Sequence, residues 1–275
     1  MVWSTHTVEA DGERVVKTFR PGDHAEHARE WRALCLLHIH APGLAPVPLA
    51  SDPAVERPVI VMSRLPGTPL RGALADPART AALARAVRRL HTCVPPGAVR
   101  SLPPRPDRAS ALLRRVPGWL AEGHADRTRG VAAQAVERGI SWLGSSRVGE
   151  DDPPGVPVVF GPGDGNLANY LWDGQRVRAV DFEDSGRSDR AFELAEITEH
   201  VSSREEGGLD VPLFLGHFPL TRAEAARYDD CRRLLSLVWL FLLLGDASGP
   251  GSRNPPGAAE HRAAHLLRLL DGANV

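Results

Sequence analysis

Residues 161–196, GPGDGNLANYLWDGQRVRAVDFEDSGRSDRAFELAE, constrain this chain more than any other stretch. Asp164 and Asn169 lie in a loop that follows the β-prone run VPVVF, 156–160. NYLWD (169–173) and RVRAVDF (176–182) read as short strands, and Asp173-Gly174 supplies the turn between them. A hairpin returns its end to its start, so Asp181 comes back beside Asn169. Each of these residues alone serves well enough as a turn former. Together they bring three oxygen-bearing side chains to one point.

The segments around this loop differ on its two sides. HTVEADGERVVKTFR (6–20) reads as a hairpin about Asp11-Gly12. Residues 23–39 read as a helix, with Asp23 as cap and Glu26 completing a capping box. Its apolar face is Trp31, Leu34, Cys35, Leu37 and Ile39. VPLA (47–50) and PVIVM (58–62) read as strands. From Pro66-Gly67 the pattern turns helical: 78–94, 108–121 and 128–143 precede the central hairpin, and 188–203, 221–245 and 257–271 follow it. A Pro/Arg-rich connector occupies 95–107. The expected fold class is α+β and bilobal, with a small β-rich lobe at 1–66 and a larger, mainly helical lobe at 67–275.

Charge and cysteine content remove several functions. The 33 basic residues against 34 acidic ones argue against a nucleic-acid partner. Cys35, Cys93 and Cys231 are odd in number, far apart and without a C-x-x-C pattern, which suits reduced thiols in a cytoplasmic protein. The opening residues MVWSTHTVEA read as no signal peptide, and the apolar run Leu234 to Leu244 is too short to span a bilayer. No membrane partner is expected.

Lys17 is the only lysine; every other basic residue is arginine. With the many Ala, Gly and Pro residues, this points to a coding bias that replaces lysine wherever arginine serves. A lysine that survives such a bias is a candidate for work arginine cannot do. That work matches the central loop. Phosphoryl transfer needs a carboxylate to orient the attacking hydroxyl and accept its proton, oxygen ligands for magnesium, and a positive side chain on the phosphates. Asp164, the pair Asn169 and Asp181, and Lys17 would fill these roles, with Glu30 of the first helix fixing the ammonium. Glu26 lies one turn away, and both glutamates also read as solvated face residues.

Here the sequence resembles the aminoglycoside phosphotransferase family, a branch of the protein-kinase-like superfamily. The family's H-G-D-x-x-x-x-N loop corresponds to Gly163-Asp164 through Asn169, its I-D-[FW]-E segment to Val180-Asp181-Phe182-Glu183, and its G-D-x-x-x-D-L-A segment to Ser188-Asp189 through Ala195. VVK (15–17), REWRALCLL (29–37), VIVMSRLPGTPL (59–70) and LARAVRRLH (83–91) resemble its lysine strand, glutamate helix, hinge and first large-lobe helix. The resemblance implies ATP and Mg2+ as cofactors. It implies Asp164 as the catalytic carboxylate, Asn169 and Asp181 as metal ligands, and Lys17 and Glu30 at the nucleotide phosphates. Ser63 to Leu65 would hydrogen-bond adenine through their backbone, Val15 would roof it and Leu171 would floor it. Asp189 would brace the catalytic loop through its amides.

Two departures stand out. Pro162 occupies the place of the family's histidine, and no counterpart of the family's first strand and phosphate-covering turn precedes Asp11-Gly12. The implied function is an ATP- and magnesium-dependent O-phosphotransferase acting on a small molecule. An aminoglycoside-like or other cationic antibiotic is one acceptor, drawn by Glu199, Glu205, Glu206, Asp210, Asp229 and Asp230; an amino alcohol or sugar is another. Glu183 and Asp184 read either as holding a cationic acceptor or as exposed salt-bridge residues. The alternative class is a pseudokinase-like binding protein. A protein kinase fits less well, because the segment from Asp181 to the next helix is too short to dock a peptide. His91 reads as packed at a helix end, and Trp239 and Phe241 as core.

Overall fold

The computed structural model describes residues 6–123, 128–205, 207–248 and 254–272. Strands β1 (Thr7–Asp11) and β2 (Arg14–Thr18) form the expected hairpin, with Val8 opposite Lys17. β2 pairs on its other side with β4 (Val59–Ser63), and β3 (Pro48–Asp52) closes the antiparallel sheet in the order β1-β2-β4-β3. Helix α1 (His24–His40) packs on β3 and β4 and buries Ala33, Leu34 and Leu37.

Two expectations about α1 fail. Asp23 makes no side-chain cap hydrogen bond, and Glu26 turns away from the helix end to His6 Nε2 at 2.9 Å. A hydrogen bond with a buried histidine outcompetes the capping geometry. Ile39 is 71% exposed, because the buried face of α1 runs through His27, Glu30, Ala33, Leu34 and Leu37 instead.

Beyond Pro66 the chain is mainly helical. α2 (Pro77–Cys93) starts as its sequence dictates: Asp76 accepts from the Ala78 N–H, and Pro77 stands where no N–H is needed. α3 (Pro96–Ser101), α4 (Ala109–Ala121) and α5 (Gly130–Ser145) follow. The connector at 95–107 thus contains a short helix. β6 (Val158–Gly161) pairs with β9 (Gly186–Asp189), while β5 (Thr68–Pro69), β7 (Tyr170–Trp172) and β8 (Val177–Ala179) make a second small sheet. The chain ends through α6 (Arg190–Glu199), α7 (Val211–Leu215), α8 (Arg222–Ser248) and α9 (Ala258–Leu270). The helix expected at 188–203 is therefore shorter at both ends. Ser188 and Asp189 pair with β6, and His200 leaves the helix with ψ 144°.

One apolar core runs from the sheet into the helices, joining Phe19, Leu34 and Ile60 to Leu83, Phe160, Leu167 and Phe182. A second lies among α4, α5, α8 and α9, around Leu237, Leu240, Phe241 and Leu266. Phe241 is core as expected, and the three cysteines are free. Among the described residues no helix is long and apolar enough to cross a membrane.

Candidate active site

Lys17 sits near the middle of β2 with 4% exposure. A buried ammonium needs partners, and its Nζ has three: Glu30 Oε2 at 3.2 Å, Asp181 Oδ1 at 2.5 Å and Glu183 Oε2 at 2.7 Å. Burial acts to lower its pKa, but the three carboxylates overcome this and raise it, so Lys17 stays charged. Glu30, 1% exposed, also accepts from the Phe182 N–H at 2.6 Å. Burial pushes its carboxyl above the ordinary range, against the pull of Lys17. Glu26 instead meets His6, so of the two glutamates on this helix Glu30 reaches the lysine. Glu183 joins both sets, with His6 Nε2 3.1 Å from its Oε2, and its side chain is largely buried.

Asp181 takes φ 68°, a left-handed backbone rare for a non-glycine residue. Such strain costs about 1–3 kcal/mol. The neighbouring Phe182 is fully buried and its N–H is held by Glu30, and burial of such a side chain contributes about 1.5–3 kcal/mol. Those two contacts are large enough to hold Asp181 in its turned conformation, and they end the strand at Ala179 rather than at 182. Across the hairpin, the Val180 N–H donates to the Asn169 carbonyl at 2.9 Å. Asp181 thus returns beside Asn169, as the hairpin predicted.

The loop ahead of Asn169 depends on two glycines. Gly163 has φ +99°, and a Cβ on it would lie 2.2 Å from the Asp184 backbone; a Cβ on Gly165 would lie 2.2 Å from the Glu196 carbonyl oxygen. Any side chain at either place would push the loop off its supports. Asp164 then accepts from the Asn166 N–H and from Asn169 Nδ2, each at 2.9 Å. Although 37% of its side chain reaches solvent, it sits in a recess of packed protein. Burial raises its carboxyl to about 6, the Asp181 charge adding to the rise while the two donors oppose it.

Two residues that the sequence reading passed over complete this loop. Arg105, 1% exposed, donates to the Gly163 carbonyl at 2.5 Å and pairs with Glu193 at 2.7 Å. Asp189, expected to brace the loop, does not do so: it accepts from the Phe192 N–H at 2.7 Å, capping α6, and pairs with Arg227 at 3.0 Å. A residue that opens a helix spends its carboxylate on the helix's own amides, and the bracing falls to Arg105. The other is His200. Its Nδ1 accepts from the Ser202 N–H at 3.1 Å, and Ser202 Oγ, 2.7 Å from the same nitrogen, accepts from the Leu167 N–H at 2.9 Å. Burial lowers the ring's pKa to about 3, so it is neutral and its proton is on Nε2. That nitrogen lies 3.6 Å from Asp164 Oδ1. Trp239 packs edge-on against the ring at 4.9 Å. His91 is buried at its helix end, as the sequence suggested.

At the junction of the two regions, Val15 is half-buried on β2 opposite Met62, and Leu171 lies on β7 beside Gly67. The Ser63 N–H donates to the Val47 carbonyl at 2.9 Å and the Arg64 N–H to the Glu13 carbonyl at 2.7 Å. Ser63 is therefore not a free donor, because β4 extends through it. Leu65 alone of the three keeps an N–H without a partner among the described residues. The acidic residues suggested to attract a cation are mostly engaged. Glu199 is buried among Arg204, Arg232, Arg262 and His265, Glu205 pairs with Arg71, Asp210 caps α7 and Asp230 pairs with Arg233. Glu206 lies outside the described residues.

Among solved structures, a choline/ethanolamine kinase family protein from Mesorhizobium loti is 19% identical, with 98% of this chain and 87% of that one covered at a TM-score of 0.63. The GDP complex of an aminoglycoside 2'-phosphotransferase-IIIa mutant is 13% identical, covering 99% and 89%, at 0.66. An aminoglycoside phosphotransferase from Streptomyces rimosus is 21% identical, covering 84% and 86%, at 0.54. At these identities the likeness establishes the fold. No protein of curated function matches the sequence significantly. The model of the phosphotransferase enzyme family matches residues 3–228, and the chain belongs to that family.

Proposed function

We propose that this phosphotransferase transfers the terminal phosphoryl group of ATP to a hydroxyl of a small molecule, in a magnesium-dependent reaction at the cleft between residues 1–66 and 67–275. The observation that carries the reading is that Lys17 reaches both Glu30 and Asp181 while Asp164 is held by Asn169 of the adjoining strand turn. A lysine from one lobe and a base from the other then bracket a single site.

The residues have separable roles. Asp164, oriented by two donors, accepts the hydroxyl proton as the acceptor oxygen bonds to the terminal phosphorus; the bond to the bridging oxygen breaks and ADP leaves. Lys17 holds the phosphates and Glu30 holds Lys17. Val15 and Leu171 would hold adenine between them, with the Leu65 N–H as hinge donor. The donor set suits a hard divalent cation: carboxylate oxygens of Glu30, Asp181 and Glu183 lie within 4.8 Å of one another and outnumber the single ammonium among them. Asn169, whose Nδ2 is committed to Asp164, has its amide oxygen available to join Asp181 as a ligand. Bound magnesium would neutralise charge on the phosphates.

The test is to incubate the protein with Mg2+ and ATP against hydroxylated acids, phosphates, amines, antibiotics and sugars, and to look by mass spectrometry for a product heavier by one phosphate. The expected product forms with wild type and is absent with Asp164→Asn, which still binds nucleotide. Turnover retained in Asp164→Asn removes Asp164 as the base. Absence of both product and magnesium-dependent nucleotide binding favours the binding-protein reading.

A further inference from the structure

A cavity of about 500 Å3 is lined by the turn after α6, by Leu243 of α8, by Asn254 and Pro255 ahead of α9 and by one face of α9. Its volume suits a small ligand. Ala258, His261, Arg262, His265 and Arg268 recur at helical spacing on α9 and all line it; Val201 and Arg204 line it from the α6 side. Val201 directly follows His200, whose Nε2 is 3.6 Å from Asp164 Oδ1, so one step along the chain separates the cavity lining from a side chain that reaches the base.

Its charge is one-sided. Beneath the wall is Glu199, 0% exposed, contacted by Arg232 at 2.8 Å, Arg204 at 2.6 Å, Arg262 at 3.2 Å and His265 at 2.8 Å. One carboxylate thus faces three guanidiniums. Arg262, itself 5% exposed, gives Glu199 one nitrogen while the side chain also lines the cavity. Arg232 Nη2 is buried with no hydrogen-bond partner. At the rim, Arg268 makes no ion pair among the described residues. The lining acid, Glu205, is taken by Arg71, and nearby Asp246 accepts from Asn254. Buried positive charge in excess of its carboxylates calls for an anion.

We infer that this cavity is the acceptor pocket and that the acceptor carries an anionic oxygen group, carboxylate or phosphate, along with the hydroxyl that is phosphorylated. The inference rests on the phosphotransferase reading and names its substrate class. Arg268 and Arg262 hold the anionic group and Arg204 borders it, which leaves the hydroxyl end of the molecule toward His200 and Asp164. A cationic amine in the same place would meet three arginines.

Three measurements on the full chain decide it. Calorimetric titration of malonate, without nucleotide or magnesium, is expected to show one site whose affinity falls about tenfold in Arg268→Glu, the loss of one charge-assisted contact. Arg262→Met is the second variant, with nucleotide binding as the check that each variant folds. Acceptor arms then compare hydroxy acids, sugar monophosphates and amino alcohols at equal concentration with Mg2+ and ATP. Turnover of the first or the second supports the inference and tells carboxylate from phosphate. No malonate binding, binding indifferent to both variants, or turnover of amino alcohols alone overturns it. A protein that binds malonate but no magnesium nucleotide keeps an anion site and loses its assignment as the acceptor pocket, and that outcome counts against the phosphotransferase reading separately.

Discussion

Glu30 and Glu199 are both buried glutamates on helices, 1% and 0% exposed, yet their surroundings are opposite. Glu30 shares a single ammonium with Asp181 and Glu183, and burial raises its carboxyl. Glu199 is also penalised by burial, but its bond to His265 and the charges of Arg204 and Arg232 lower it to about 2. The first cluster has more carboxylates than cations, the second more cations than carboxylates. A folded chain does not accumulate uncompensated charge in its interior without cost. Each imbalance therefore reads as a place completed by a ligand of the opposite sign: a divalent cation beside Lys17, an anion beside α9.

The largest effect expected from breaking this contrast is Glu199→Gln. It leaves buried guanidiniums without their carboxylate, and stability should fall by about 3–5 kcal/mol, seen as a lower midpoint in urea. A loss under about 1 kcal/mol would mean that solvent already compensates those arginines. Lys17→Arg comes next. It keeps the charge, but the guanidinium's planar fork does not fit where a compact ammonium meets three carboxylates, and kcat/KM should drop about a hundredfold with the fold intact. Activity equal to wild type would make the sole lysine a coincidence of coding bias. Glu30→Gln should cost far less stability than Glu199→Gln, because Lys17 retains Asp181 and Glu183; it should appear as weaker nucleotide binding. Equal destabilisation by the two substitutions would erase the distinction drawn between the sites. The smallest effect is on the pH profile. Asp164 must be deprotonated to act as base, and its carboxyl is raised to about 6. Activity should therefore be full above that pH and fall as pH drops through it. A limb near 4 would mean that the bound substrates remove the burial that raises it.

Much of the cluster around Lys17 was legible because the proposed chemistry requires particular side chains at particular spacings. Lys17 stood out as the only lysine. Asp164, Asn169 and Asp181 stood out because a hairpin has few ways to return on itself. Arg105 gave no such signal: in a chain whose basic residues are almost all arginine, one more arginine in a Pro/Arg-rich connector is indistinguishable from a solvated one. Its importance comes from burial against Gly163, a long-range contact. Ser188 and Asp189, the second half of β9, read as the start of a helix in the sequence; pairing with β6, not propensity, makes them strand. The acidic residues of the last third looked like bait for a cation when listed by type. For Glu199 the partners reverse that reading, since an acid already surrounded by arginines attracts no amine. The cationic face of α9 was present in the sequence as His261, Arg262, His265 and Arg268, but spacing alone does not tell a solvated helix face from one that lines a cavity.

The most direct test is a calorimetric titration of wild type and Asp181→Ala with ATP, each with and without Mg2+. Excess carboxylate around Lys17 predicts nucleotide binding that strengthens at least about tenfold with magnesium and a magnesium effect that disappears in Asp181→Ala. Binding of ATP with equal affinity in the presence and absence of magnesium, or a magnesium effect that survives the loss of Asp181, would contradict the account.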